Sequence, residues 1–205
     1  MHRMLKKLNK NFMAKNITIK EKEGSAFEKM KGDFHYKNLM AAPKLKKVVI
    51  NTGTGTAMKK DNKKNDAILD RIAKISGQKA ALRGAKQSIS SFKVRQGDPI
   101  GVMVTLRGHR MYAFLEKLLN VALPRTKDFR GINRRAVDDI GNLTIGIKEH
   151  TIFPETADED IRDVFGMSIT LVSSAKNKKE GTAFFEILGV PFKKEDTKED
   201  KSKKK

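Results

Sequence analysis

The chain contains no cysteine, which removes disulfides, zinc knuckles and thiol nucleophiles together. No apolar run approaches the length of a membrane span. The first residues lack the apolar core and cleavage site of a secretory signal, so a cytoplasmic protein is expected. Histidine is scarce: His2, His35, His109 and His150 are scattered without ligand spacing, and each is read as a surface or capping residue. Acidic residues are outnumbered, with 24 Asp and Glu against 44 Lys and Arg, a formal charge of +20. That surplus opposes compaction unless a polyanion neutralises it. A nucleic-acid partner follows more readily than a membrane surface, for which a dominant basic amphipathic helix is missing.

Sequences that suggest catalysis fail on spacing. Thr52-Gly53-Thr54-Gly55-Thr56 matches neither the dinucleotide nor the P-loop glycine pattern. Glu155, Asp158, Glu159, Asp160 and Asp163 lack the oxygen spacing of a calcium loop. They fit better as a local acidic patch or as a helix N-terminus, where acids are favoured. No metal and no cofactor are expected, and an enzyme acting on RNA would need a constellation that the sequence does not offer.

The 205 residues suit one domain with tails, and hydrophobic residues make up 38%. The apolar deficit sits at the ends, so we divide the chain into a basic arm over 1–24, one RNA-binding domain over 25–194 and a charged tail over 195–205. In the arm, Leu5, Leu8 and Phe12 could line a short helix ended by Gly24. A helix is expected over 25–42, stopped by Pro43, then a strand over 46–51 and a helix over 61–76 closed by Gly77. A short strand at 78–82 leads to a flexible basic loop over 83–99, with glycine hinges at Gly84 and Gly97. A strand over 100–106 and an amphipathic helix over 111–123, closed by Pro124, precede a basic loop over 125–141. Strands over 143–148 and 167–172 and a helix over 180–188 complete the pattern. Strands and helices without strict alternation indicate an α+β fold: a largely antiparallel sheet, helices on one face, the other face open.

Side chains alternate across each strand. Val48 and Ile50, then Ile100, Val102, Val104 and Leu106, then Leu143, Ile145 and Ile147, then Ile169 and Leu171 form an aliphatic face. The opposite face carries Lys47, Val49, Asn51, Gly101, Met103, Thr105, Thr144, Gly146, Lys148, Ser168 and Thr170. Such a face is either ordinary solvated sheet or a platform for RNA, whose 2′-hydroxyls and phosphates need hydrogen-bond partners and little bulk. The net charge tips the balance to RNA. The loop over 84–97 and the Arg125–Arg130 segment supply further phosphate donors. Phe129 offers RNA an aromatic surface or anchors its loop in the core, and it is not assigned to RNA.

Eight motifs in order carry a resemblance: Asn51-Thr-Gly-Thr-Gly, Ile75-Ser-Gly-Gln, Phe92-Lys-Val-Arg-Gln-Gly with Pro99-Ile-Gly, Val104-Thr-Leu-Arg-Gly, Pro124-Arg-Thr-Lys-Asp-Phe-Arg-Gly, Gly141-Asn, Ile152-Phe-Pro-Glu and Pro191-Phe-Lys. The chain resembles the universal ribosomal protein L-five family over residues 25–194. The resemblance implies a structural constituent of the large ribosomal subunit that binds 5S rRNA and helps attach it in the central protuberance. It assigns 5S rRNA binding to Asn51, Gln78, Phe92 and Thr105. It implies a P-site tRNA contact through Lys86, Ser88, Lys93, Arg95 and Gln96. Further RNA contacts, to 5S or 23S-type rRNA, are expected from Lys47, Arg107, Arg125, Arg130 and Lys148. Neighbouring large-subunit proteins and a small-subunit head protein are the implied protein partners. A free RNA chaperone is the competing reading; it would bind many RNAs alike. The arm and the tail exceed the family pattern.

Overall fold

A computed structural model describes residues 18–55, 63–157 and 164–193. Leu5, Leu8, Phe12, the tail beyond Lys193 and the acids between 158 and 163 lie outside the described residues.

Helix α1 spans Ile19–Phe34, earlier and shorter than the expected 25–42. Its start is a capping box: Thr18 Oγ1 accepts from the Glu21 N–H, and Glu21 accepts from the Thr18 N–H at 3.0 Å. Helix formation therefore runs through Gly24, which does not stop it, and the division drawn at residue 24 falls inside α1. His35, at φ 50°, ends the helix with its N–H on the Lys31 carbonyl. Strand β1 (Leu45–Gly53), helix α2 (Lys63–Ser76) and strand β2 (Ala81–Gly84) follow. Strand β3 (Pro99–Leu106) leads into helix α3 (Gly108–Lys117).

Pro124 does not close the helical segment at 123. A π turn over Leu118–Ala122 follows α3, and a last helical turn, α4 (Leu123–Arg125), contains Pro124. Proline lacks an N–H and crowds the carbonyl four residues back; a widened turn just before it suits both deficits. Strands β4 (Leu143–Ile147) and β5 (Met167–Ser173) and helix α5 (Lys178–Leu188) follow among the described residues.

The five strands form one sheet in the order β2-β3-β1-β5-β4, every neighbouring pair antiparallel. The aliphatic face read from the sequence is the core face: Val48, Ile50, Val102, Val104, Leu106, Leu143, Ile169 and Leu171 are buried. Against them pack Ile72, Ile75, Phe114, Leu115, Phe184, Phe185 and Leu188. Fully burying each such side chain is worth about 1.5–3 kcal/mol. Among the described residues no helix covers the opposite sheet face, in keeping with the expected α+β arrangement.

Two phenol–carboxylate pairs tie α1 to this layer. Tyr36 donates to Glu180 at the start of α5, and Tyr112 of α3 donates to Glu23 at 2.7 Å. Burial, reinforced by the Glu23 hydrogen bond and charge, pushes the Tyr112 phenol up to about 12; Tyr36 is raised for the same kinds of reason. Lys22 Nζ reaches the Leu188 carbonyl at 3.3 Å, at the C-terminus of α5. His150 departs from the surface role expected of it. It is fully buried, stacks on Phe165 at 4.2 Å, and its Nδ1 accepts from the Phe165 N–H. The fold required an aromatic partner there that no local spacing signals.

Candidate nucleic-acid interface

The antiparallel register aligns the open face into rows. One row runs Ala81, Met103, Asn51, Ser168 and Gly146 across all five strands. The next runs Thr105, Val49, Thr170 and Thr144. Directly opposed residues stand about 5 Å apart, so Asn51 and Thr105, assigned from motifs far apart in the sequence, lie on neighbouring rows of one surface. The hydroxyls are oriented: Thr144 and Thr170 Oγ1 atoms are 3.1 Å apart, and Ser168 Oγ donates to the Asn51 carbonyl at 3.3 Å. A Cβ built at Gly53 or Gly146 would meet nothing within 4 Å. The face therefore presents hydroxyls and an amide among small and apolar side chains, with open backbone at Gly53 and Gly146.

Gln78, just beyond Gly77 (φ 67°), turns back to this surface. Its Nε2 donates to the Thr105 carbonyl at 3.3 Å, which places it beside Thr105. Lys47 lies half-buried on the same face, opposite Val172, and Lys148 is exposed just past β4.

The segment after β2 is an ordered hairpin rather than a flexible loop. Ala85 and Gly97–Asp98 exchange backbone bonds of 2.8 and 3.0 Å, and Ile89 and Val94 exchange two more. Ser88 Oγ accepts from the Gln96 N–H at 2.9 Å, and Asp98 accepts from the Arg95 N–H at 2.7 Å. At its base Gly84 passes so near Gly97 that a Cβ would stand 2.9 Å from the Gly97 oxygen. The glycines thus permit a close strand crossing, where hinges were expected. Lys93 takes φ 52° at the tip, after a single 3₁₀ turn over Ser90–Phe92. Lys86, Lys93, Arg95 and Gln96 are exposed around it.

Where hairpin and sheet meet, a cleft of about 940 Å³ is lined by Asn51, Gly53, Arg83, Lys86, Ile89 and Phe92, among others. Phe92 is 61% exposed and Ile89 45%, a high exposure for apolar side chains. The structure therefore brings Asn51 and Phe92 into one cleft, with Thr105 and Gln78 alongside on the same sheet. Arg107, Arg125 and Arg130 are exposed but stand on separate segments, after β3 and in and after α4. Of the two alternatives left for Phe129, the structure shows the anchor: it packs against the core.

The sequence reading held Arg83 only as part of the basic loop; the structure sets it on β2, lining the cleft, and the bare backbone of Gly53 opens that cleft. All four residues of β2 are exposed, so no alternation marked the strand. Among the described residues no group of three or more His, Cys, Asp or Glu is placed to hold a metal ion.

Comparison with known proteins agrees with this architecture. Residues 38–95 match the family model described as ribosomal protein L5, and residues 99–192 match the ribosomal L5P family C-terminus. The large ribosomal subunit protein uL5 of Trichlorobacter lovleyi is 47% identical over 171 residues, covering 83% of this chain and 95% of the relative. Its counterpart in Pelobacter propionicus is 48% identical over 166 residues, covering 81% and 92%. That of Mycoplasma mycoides is 47% identical over 182 residues, covering 89% and all of the relative. This is a family of structural ribosomal proteins rather than of enzymes, with its place on the ribosome in the cytoplasm. The chain belongs to the ribosomal protein L5 family and is a structural constituent of the large ribosomal subunit.

Proposed function

We propose that the open sheet face binds 5S rRNA and helps hold it in the central protuberance, and that the protein performs no catalysis. The observation that carries this reading is the pair of aligned rows in which Asn51, Ser168, Thr105, Thr170 and Thr144 share one uncovered surface. Hydroxyls and an amide both donate and accept, which a 2′-hydroxyl requires; carbonyls and small residues let the RNA backbone come close. Gln78 and Phe92 border this surface, and the cleft adds an aromatic face on which a base can stack. Lys47, Lys148, Arg107, Arg125 and Arg130 supply charge for phosphates of 5S or 23S-type rRNA. The exposed cations of the hairpin, Lys86, Lys93 and Arg95, with Gln96, suit a contact to P-site tRNA. Ser88 is exposed beside them, and its Oγ, which accepts from the Gln96 N–H, keeps a hydroxyl proton to donate to the same contact. Contacts to neighbouring large-subunit proteins and a bridge to a small-subunit head protein complete the proposed role.

The test is binding of the full-length protein to 5S rRNA at several salt concentrations, with a generic RNA duplex as competitor. Wild type should keep its preference for 5S rRNA as salt rises, because hydrogen bonds and shape persist when counterion release weakens. Asn51→Ala combined with Thr105→Ala should lower 5S affinity far more than duplex affinity. Equal losses for both RNAs would refute the sheet-face assignment and favour a general RNA chaperone.

A further inference from the structure

The helical side of the protein carries a second cationic groove, away from the open sheet face. The 3₁₀ turn Arg134–Ala136 lies against one face of α5. Between them is a groove of about 380 Å³ lined by Arg134, Arg135, Lys178, Lys179, Thr182 and Glu186, with Ala183 on its floor. Its single carboxylate, Glu186, is already paired with Arg134 at 2.7 Å. Arg135, Lys178 and Lys179 therefore face the groove without a carboxylate of its lining to balance them.

The position of the lysines makes this costly for the isolated protein. Lys176, Lys178 and Lys179 cluster at the N-terminus of α5, the positive end of the helix dipole, where acids are normally favoured. Asn177 provides no side-chain cap there. Glu180, the one acid of the first turn, is buried and turned away: it accepts from Tyr36 and from the Lys176 N–H at 2.8 Å. Like charges are thus held together at a site that repels them, on a floor of small side chains that keeps the groove open. An anion in the groove would be attracted by each of these groups and by the helix N-terminus, and so would offset the repulsion.

We propose that this groove binds the phosphodiester backbone of a second RNA segment, so that the protein holds RNA on two opposite sides. The narrow floor and the planar guanidinium of Arg135 suit consecutive phosphates, and no large exposed apolar side chain lines the groove to seat a protein partner. The proposal does not depend on the identity of the RNA bound at the sheet.

The test uses full-length protein and a short A-form RNA duplex as probe, alone and after saturation with 5S rRNA. Each phosphate contact contributes about one to the slope of log K against log salt. Arg135→Gln, Lys178→Gln and Lys179→Gln together should lower that slope by about 3, and should abolish duplex binding to the 5S-saturated protein. Wild type should bind both RNAs at once, with Lys179 protected from acetylation by the duplex. The single variant Lys179→Gln, at an exposed position, should lower the slope by about 1 with an unchanged thermal midpoint. An unchanged slope in both variants would overturn the proposal. So would protection of Lys179 by an acidic peptide and not by RNA. If 5S rRNA fails to bind while the duplex results hold, the sheet-face reading falls and the groove stands.

Discussion

Two glycines in helix interiors should respond to alanine with opposite sign. Gly24 sits exposed in α1, and a Cβ there would meet nothing within 4 Å. Gly24→Ala removes backbone freedom from the unfolded chain and should stabilise by about 0.5–1 kcal/mol. Gly181 in α5 presses on Gly141: a Cβ would stand 2.6 Å from the Gly141 Cα and 2.8 Å from its oxygen. That oxygen accepts from Ser173 Oγ at 2.7 Å, and the Gly141 N–H donates to the Asp138 carbonyl, so the backbone opposite cannot retreat without breaking bonds. Overpacking of this kind costs about 1–3 kcal/mol; against backbone the upper end applies, and a helix-propensity gain of about 1 kcal/mol offsets part of it. The net is a loss of about 1–2 kcal/mol. For a chain of this size each kcal/mol moves the thermal midpoint by about 2–4 °C. In one calorimetric series Gly24→Ala should melt above wild type by about 1–4 °C and Gly181→Ala below it by about 2–8 °C. A Gly181→Ala protein that melts with or above wild type would show that α5 does not dock on Gly141 as described. A Gly24→Ala protein that melts lower would show that α1 does not run through that residue.

The Tyr112 phenol is raised from 10.0 to about 12 in the fold, so its contribution is whole below pH 10 and is lost as pH rises through 12. Stability followed against pH should fall across that window, and Tyr112→Phe should flatten part of the decline; an identical profile would remove Glu23–Tyr112 as an anchor of α1. Gly146→Leu on the open face should leave the thermal midpoint within a few degrees and weaken 5S rRNA binding by at least tenfold, since its Cβ has free space only where RNA would lie; undiminished binding would mean the RNA passes elsewhere. Phe92→Ala, at a side chain 61% exposed, should cost well under 1 kcal/mol in urea denaturation yet reduce 5S affinity, and the reverse pattern would make Phe92 a packing residue of its hairpin.

Strand faces were legible because period-two alternation is local: Val48 and Ile50 fell to the core and Asn51 to the open side as the pattern requires. Helix ends were less so. Gly24 was read as a stop, while the Thr18–Glu21 capping box, a local and readable signal, sets the start six residues earlier. Pro124 was read as a terminator because the π turn that admits it has no sequence signature. His150 gave no clue to its burial, since its ring partner Phe165 arrives from a separate segment. For the site, alternation already set Asn51 and Thr105 on the open face, but the meeting of Gln78 with Thr105, and of Phe92 with Asn51 in one cleft, could not be read. It depends on strand order, which no window of residues encodes. The same holds for the groove of Arg135, Lys178 and Lys179, which two distant basic runs form only once folded.

The central strand β1 is made early, yet both its neighbours, β3 and β5, come later in the chain. Its β3 edge can be filled once Pro99–Leu106 has emerged, but its β5 edge stays vacant until Met167–Ser173 has emerged. The row from Met103 through Asn51 is therefore extended to Ser168 only late, after a long loop has been closed. A growing chain cannot present a finished RNA platform piece by piece. On the proposed reading, capture of RNA through the whole sheet face waits for β5, and a chain that ends before β5 lacks the Ser168, Thr170 and Thr144 part of the rows.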